Sequence, residues 1–116
     1  MLLVRFHVGD IFGDLRGLGE FQQIFTNRCL INLPELDLQI QAVENLASLL
    51  GQDGQLVLLE CSQQAQQRLN ELRETVGLYP INYHWHNLHL DEPKFLERLP
   101  TSLELVATKK IPASIT

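Results

Sequence analysis

The residues able to do chemistry fall in a few places along this chain. The densest is His84-Trp85-His86-Asn87-Leu88-His89. In an extended strand, His84 and His86 point to one face, a spacing that suits zinc, and His89 points to the other. A third ligand would have to come from Asp91 or Glu92, and nothing supplies it at a recognisable spacing, so no metal site is expected. The competing reading is an aromatic strand with polar tips at a sheet edge. Cys29 and Cys61 lie in apolar, strand-like runs, outside any C-x-x-C pair. No base partner is identifiable for either and no G-x-S-x-G elbow exists, so nucleophilic catalysis has no support. Both read as buried structural thiols in a reducing compartment. A disulfide between them requires their strands to be adjacent. Asn27-Arg28 follows one apolar run, and Glu60 ends another. Glu60 either faces a cleft or sits at the sheet edge. Gly17-Leu18-Gly19 is a G-x-G, but Gln22 stands where a third glycine is expected and no strong strand precedes it, so it is not a dinucleotide fingerprint.

The elements that would position these residues follow from periodicity. Leu2 to Val8 alternates weakly and reads as a short strand. Ile11 to Glu20, punctuated by Gly13, Gly17 and Gly19, reads as loop or helical turn. Phe21 to Cys29 reads as a second strand. After Pro34, the apolar residues Leu36, Ile40, Val43, Ala47 and Leu50 recur at helical spacing, widened by Leu46. Asp37, Gln39, Gln41, Glu44, Asn45 and Ser48 fill the opposite face. Glu35 and Asp37 suit the positive helix start, and Gly51 suits a left-handed cap at its end. Gln52-Asp53-Gly54 reads as a turn. Leu56-Val57-Leu58-Leu59 has no alternation, which predicts a strand covered on both faces, as in a parallel sheet.

Ser62 can cap the next helix, in which Ala65, Leu69, Leu72 and Val76 form a narrow apolar stripe and Gly77 marks the end. Gln63, Gln64, Gln66 and Gln67 then read as a solvated face. Pro80 to Leu90 reads as a strand, Asp91 to Pro100 contains a helical turn, and Leu103 to Ile111 reads as a last strand. Alternation of helix and strand sets the class as α/β with a largely parallel sheet.

Length and charge narrow the function classes. A chain of 116 residues is one domain. Its apolar fraction of 45% and charged fraction of 20% are ordinary for a globular protein. A net charge of −5 argues against a nucleic-acid partner, whose phosphates are held by Lys and Arg. Arg5 comes too early for the apolar core of a signal peptide, and no run reaches the ~18 apolar residues of a membrane span. A cytoplasmic protein is expected.

Val8-Gly9-Asp10-Ile11, Phe21 to Asn32, Gly54 to Cys61, and Gly77-Leu78 followed by Trp85-His86-Asn87-Leu88 and Asp91-Glu92 line up in one order. In that order they resemble the third to sixth strands of a class I S-adenosylmethionine-dependent methyltransferase, and the most distinctive stretch is Asn27 to Pro34. The resemblance covers roughly residues 4 to 108. It implies a single truncated, partial Rossmann-like domain, with four to five mostly parallel strands and flanking helices. Asp10 and Ile11 would flank an adenine ring, and Asn27 and Arg28 would meet cofactor at the carboxyl edge of the sheet. Trp85, His86 and Asn87 would lie near the substrate mouth with Glu60, and His86 would be a candidate general base.

Departures from the family are large. Its Gly-rich cofactor loop and its ribose-binding carboxylate have no counterpart, and its last hairpin is cut short near Thr116. The resemblance therefore implies a truncated or degenerate methyltransferase that binds S-adenosylmethionine weakly or not at all alone. The alternative is a non-catalytic interaction module, a homodimer or a complement to a partner chain. Uncovered sheet edges favour self-association, with Phe21 to Cys29 and Glu35 to Leu50 as contact elements.

Overall fold

A computed structural model describes residues 3–82 and 87–109 of the chain. Two strands, β1 (Phe21–Asn27) and β2 (Leu50–Leu59), pair in parallel and are joined by helix α1 (Leu36–Ala47). Helices α2 (Gln63–Thr75) and α3 (Glu92–Glu97) follow. This is a βαβ unit within an α/β chain. Ile24 lies beside Leu56, Phe25 beside Val57, Thr26 beside Leu58 and Asn27 beside Leu59.

The α1 side of this unit holds the core. Ile40, Ala42 and Val43 of α1 pack with Leu30, Leu90 and the α3 residue Phe95, and Leu56 and Leu58 lean onto them from β2. The helical spacing of the sequence is correct here, but the buried arc is broader than the apolar stripe. Gln39, expected on the polar face, is fully buried because it lies three residues after Leu36 and four before Val43. Its side-chain amide donates to Leu30 O at 3.2 Å and to Leu88 O at 2.9 Å, which satisfies it inside the core.

Helix α1 ends earlier than expected, at Ala47 with Ser48 as its cap, and β2 already begins at Leu50. Gly51 is therefore within the strand. The register jumps from Phe21↔Leu50 to Gln23↔Gln55, so residues 51–54 form a bulge. Asp53 takes a left-handed φ of 60° there, and a Cβ on Gly54 would meet Gly51 O at 2.9 Å and Phe21 O at 3.2 Å.

Among the described residues the sheet has two strands, against the expected four to five. Residues 3–8 form no strand and stand exposed, and the described part of the last expected strand, 103–109, forms none either. The described part of the 80–90 segment is irregular except for a parallel bridge from Leu90 to Ser62. A strand exists only where a neighbour accepts its hydrogen bonds, and residues 3–8 and 103–109 meet no strand partner among the described residues. Leu56 to Leu59 is also not covered on both faces. Leu56 and Leu58 turn inward, while Val57 and Leu59 turn outward and are 42% and 46% exposed.

Helix α2 reverses the expectation for its two faces. Ser62 does cap it, accepting from Ala65 N–H at 3.0 Å, and Gly77 follows its end with φ of 78°. Yet none of its residues is buried. The supposedly solvated amides hold backbone instead: Gln63 donates to His89 O, and Gln64 accepts from Glu92 N–H. Gln66 and Asn70 donate to Ile81 O, and Asn70 accepts from Ile81 N–H at 2.7 Å. The apolar stripe faces away, with Leu72 and Val76 exposed.

Candidate functional site at the carboxyl end of the parallel strands

In a parallel sheet, the carboxyl ends of the strands are where loops gather polar groups around a ligand. Here β1 leaves the sheet through Arg28, whose left-handed φ of 52° reverses the chain while its N–H still donates to Leu59 O at 2.9 Å. A 3-10 turn, Leu30–Asn32, follows at once. Its leading N–H groups lack any side-chain cap, since Cys29 occupies the cap position and has no oxygen to offer.

Glu60 fills that role from the end of β2. Its Oε1 accepts from Leu30 N–H at 2.8 Å and Ile31 N–H at 3.3 Å, and its Oε2 accepts from Cys29 N–H at 3.2 Å and the Thr26 hydroxyl at 2.6 Å. One carboxylate thus satisfies three orphan backbone donors and a buried hydroxyl. This is the turn's anchor, with its lone pairs occupied by the fold. Thr26 and Gln39 were not legible as site residues. The signal for Thr26 is a β-branched hydroxyl in phase with Ile24 on the inward face; for Gln39 it is helical phase with Leu36 and Val43.

The segment 87–91 laces the same end. Leu88 N–H donates to Ile31 O, Leu90 N–H to Cys61 O and Gln63 N–H to Leu90 O, at 2.7 to 2.9 Å. Around this lacing, Arg28 Nη1 lies 3.9 Å from Cys61 Sγ. His89 is held below the usual histidine range, first by burial and then by the Arg28 charge. Burial, then the Glu60 charge, pushes the Cys29 thiol up, which keeps it protonated and a poor nucleophile. Cys29 and Cys61 are both free thiols. Asn87 contributes a buried Oδ1 with no hydrogen-bond partner among the described residues. Trp85 and His86 lie outside the described residues. Among the described residues, no three His, Cys, Asp or Glu side chains gather as a metal-binding group.

Asp10 and Ile11 are elsewhere. Asp10 Oδ1 accepts from Phe12 N–H at 2.9 Å, and Asn45 Nδ2 donates to Ile11 O at 2.5 Å and Gly13 O at 3.0 Å. Asn45 sits in the last turns of α1, roughly 13 Å along the helix from Leu36. Helix α1 starts beside the carboxyl end of β1 and finishes at the amino end of β2. The Asp10 turn is therefore pinned at the end of the sheet opposite Asn27 and Arg28. The two pairs that the resemblance would place on one cofactor, Asp10 and Ile11 at its adenine and Asn27 and Arg28 at the carboxyl edge, are not brought together. Asp10 and Ile11 instead line a shallow groove of about 460 Å³ with His7, Leu15 and Leu18.

The carboxyl-end cluster offers an exposed guanidinium, a Cys29 thiol held protonated and an imidazole that favours its neutral form. Among the described residues, the Glu60 carboxylate is taken up by backbone and hydroxyl donors. Comparison with protein-family models, curated proteins and solved structures finds no match to this chain. No helix among the described residues is long and apolar enough to cross a membrane.

Proposed function

We propose that this chain is a non-catalytic interaction module that works by self-association. The observation that carries the reading is the uncovered outward face of the sheet. Phe25 is 68% exposed beside Val57 and Leu59, which are themselves more than two-fifths exposed. A two-stranded sheet with one bare apolar face is marginal by itself. The whole chain supports the reading: it exposes 9123 Å², about 2,600 Å² more than a compact monomer of its mass. Its radius of gyration is 16.4 Å, against about 13 Å for a compact chain of this length. The apolar face of α1 is consumed by the core, so among the expected contact elements β1 is favoured over α1. Free thiols at Cys29 and Cys61 fit a cytoplasmic setting.

Light scattering after size exclusion tests this reading. A dimer or larger species is expected at tens of micromolar, and Phe25→Asp is expected to reduce it to a monomer with an unchanged circular dichroism spectrum. A wild-type mass near 13.3 kDa under those conditions overturns it.

A second reading, a truncated methyltransferase-like domain, is supported by one feature: a parallel βαβ unit with Asn27 and Arg28 at its carboxyl end. Against it stands the separation of Asp10 and Ile11 from that end. Binding of S-adenosylhomocysteine no tighter than roughly 100 μM is expected by calorimetry. A low-micromolar dissociation constant for the lone chain would restore the enzyme reading.

A further inference from the structure

We propose that residues 3–8 are an exchange arm, which pairs in a dimer along the free outer edge of β1 in a second copy of this chain. The proposal rests on the self-association reading above and assigns its contact.

The arm, Leu3-Val4-Arg5-Phe6-His7-Val8, has the composition of a strand. Val4, Phe6 and Val8 share one side of it, and Arg5 and His7 share the other. It forms no strand, and none of its backbone groups hydrogen-bonds another described residue. Phe6 is 93% exposed and Val8 fully so. An extended apolar segment with an unpaired ladder is a strand without a sheet. β1 is the complement, seven residues long, and among the described residues it pairs with β2 alone and is open along its other edge. Adding a strand to such an edge satisfies both ladders at once.

The faces match as well as the lengths. With Phe6 placed on the side of Phe25, Val4, Phe6 and Val8 extend the apolar outward face of Phe25, Val57 and Leu59. Arg5 and His7 then turn to the opposite face, where Gln22 and the Glu20 carboxylate lie over Gly51. That juxtaposition sets cationic and titratable groups against an anion.

The anchoring of the arm explains why it can serve another copy. It leaves the body at Gly9, just before the Asp10–Gly13 turn that Asn45 fixes to α1. Within one copy no hydrogen bond joins the segment to β1. Two arms exchanged about a two-fold axis give a closed contact that does not propagate into fibres. The surplus surface of about 2,600 Å² per copy exceeds the roughly 800 Å² per partner of a standard interface.

The test is amide hydrogen exchange on the full chain at about 1 μM and about 200 μM, beside light scattering on the same samples. Protection of residues 3–8 and of the β1 edge is expected to rise at least tenfold, by order of magnitude, with concentration. Phe6→Asp, a change at an exposed site, is expected to remove that rise while leaving the circular dichroism spectrum unchanged. Arm amides that exchange as unpaired chain in a sample shown to be dimeric overturn the arm and leave the module reading standing. Equal protection at both concentrations overturns it too, since the arm then pairs within one copy. A monomer at both concentrations overturns both readings.

Discussion

The two faces of the β1–β2 sheet are built from neighbouring residues of the same strands, and they have opposite fates. On the α1 side, Leu56 and Leu58 meet the core of Ile40, Val43 and Leu90, and the polar atoms of Thr26 and Gln39 are paired. On the other side, Val57, Leu59 and Phe25 meet solvent. The difference is one of supply. The βαβ crossover brings α1 to the first face, whereas α2 turns its amides onto Ile81 and residues 89–92, and the second face stays exposed. An apolar strand therefore specifies burial capacity, and the connections decide which half of it is used within one chain.

The sharpest way to break this contrast is a matched pair of substitutions. Leu58→Asp places a charge against the α1 core without a partner, and no soluble folded protein is expected. Val57→Asp, one residue away, is expected to fold normally by circular dichroism and to lose self-association. Equal damage from the two changes would show that the outward face is covered within the chain.

The next largest effect is expected at the turn anchored by Glu60. Glu60→Ala strands three N–H groups and the Thr26 hydroxyl, a loss of about 3 kcal/mol, read as a fall of about 10 °C or more in melting temperature. Glu60→Gln keeps one acceptor oxygen and is expected to lose less. If Glu60→Ala melts like the wild type, the carboxylate is not the anchor and becomes free to serve chemistry.

A smaller effect comes from pH. His89 in the folded chain lies below its ordinary value of 6.5, so the unfolded chain binds a proton first as pH falls. Stability from this group is complete above pH 6.5 and declines as pH drops from there toward its folded value. Cys29 is displaced upward from 9.0, so the unfolded chain releases its proton first, and stability declines as pH rises above that value. Scanning fluorimetry is expected to give a plateau near pH 7 to 9, and His89→Gln is expected to flatten its acid limb. An unchanged acid limb in that variant would assign it to other groups.

The smallest effect belongs to α2, which stands away from the core. Ser62→Ala removes the cap on Ala65 N–H and is expected to cost about 1 kcal/mol of local stability. Faster exchange confined to α2 and the segment it holds would mark that layer as a separate, weaker unit. Global acceleration would join it to the core.

The sequence alone determined the elements whose signals are local. The 3.6-residue recurrence from Leu36 to Leu50 placed α1 though not its end at Ala47, the serine at 62 placed the start of α2, Gly77 marked its end, and the helical turn after Asp91 became α3. Each depends on residues within a turn or two of one another. Tertiary structure decided everything that required a neighbour. Residues 3–8 and 103–109 are strand-like in sequence and join no strand among the described residues, because a strand's hydrogen bonds belong to its partner. The outward exposure of Val57 and Leu59, the burial of Gln39 and the anchoring role of Glu60 follow the same rule. Leu56 to Leu59 reads as apolar on both sides, and Glu60 as an acid at a strand end, whatever stands opposite. Only the crossover of α1 and the turn at Leu30 supplied the surfaces that gave those side chains a buried face and four donors.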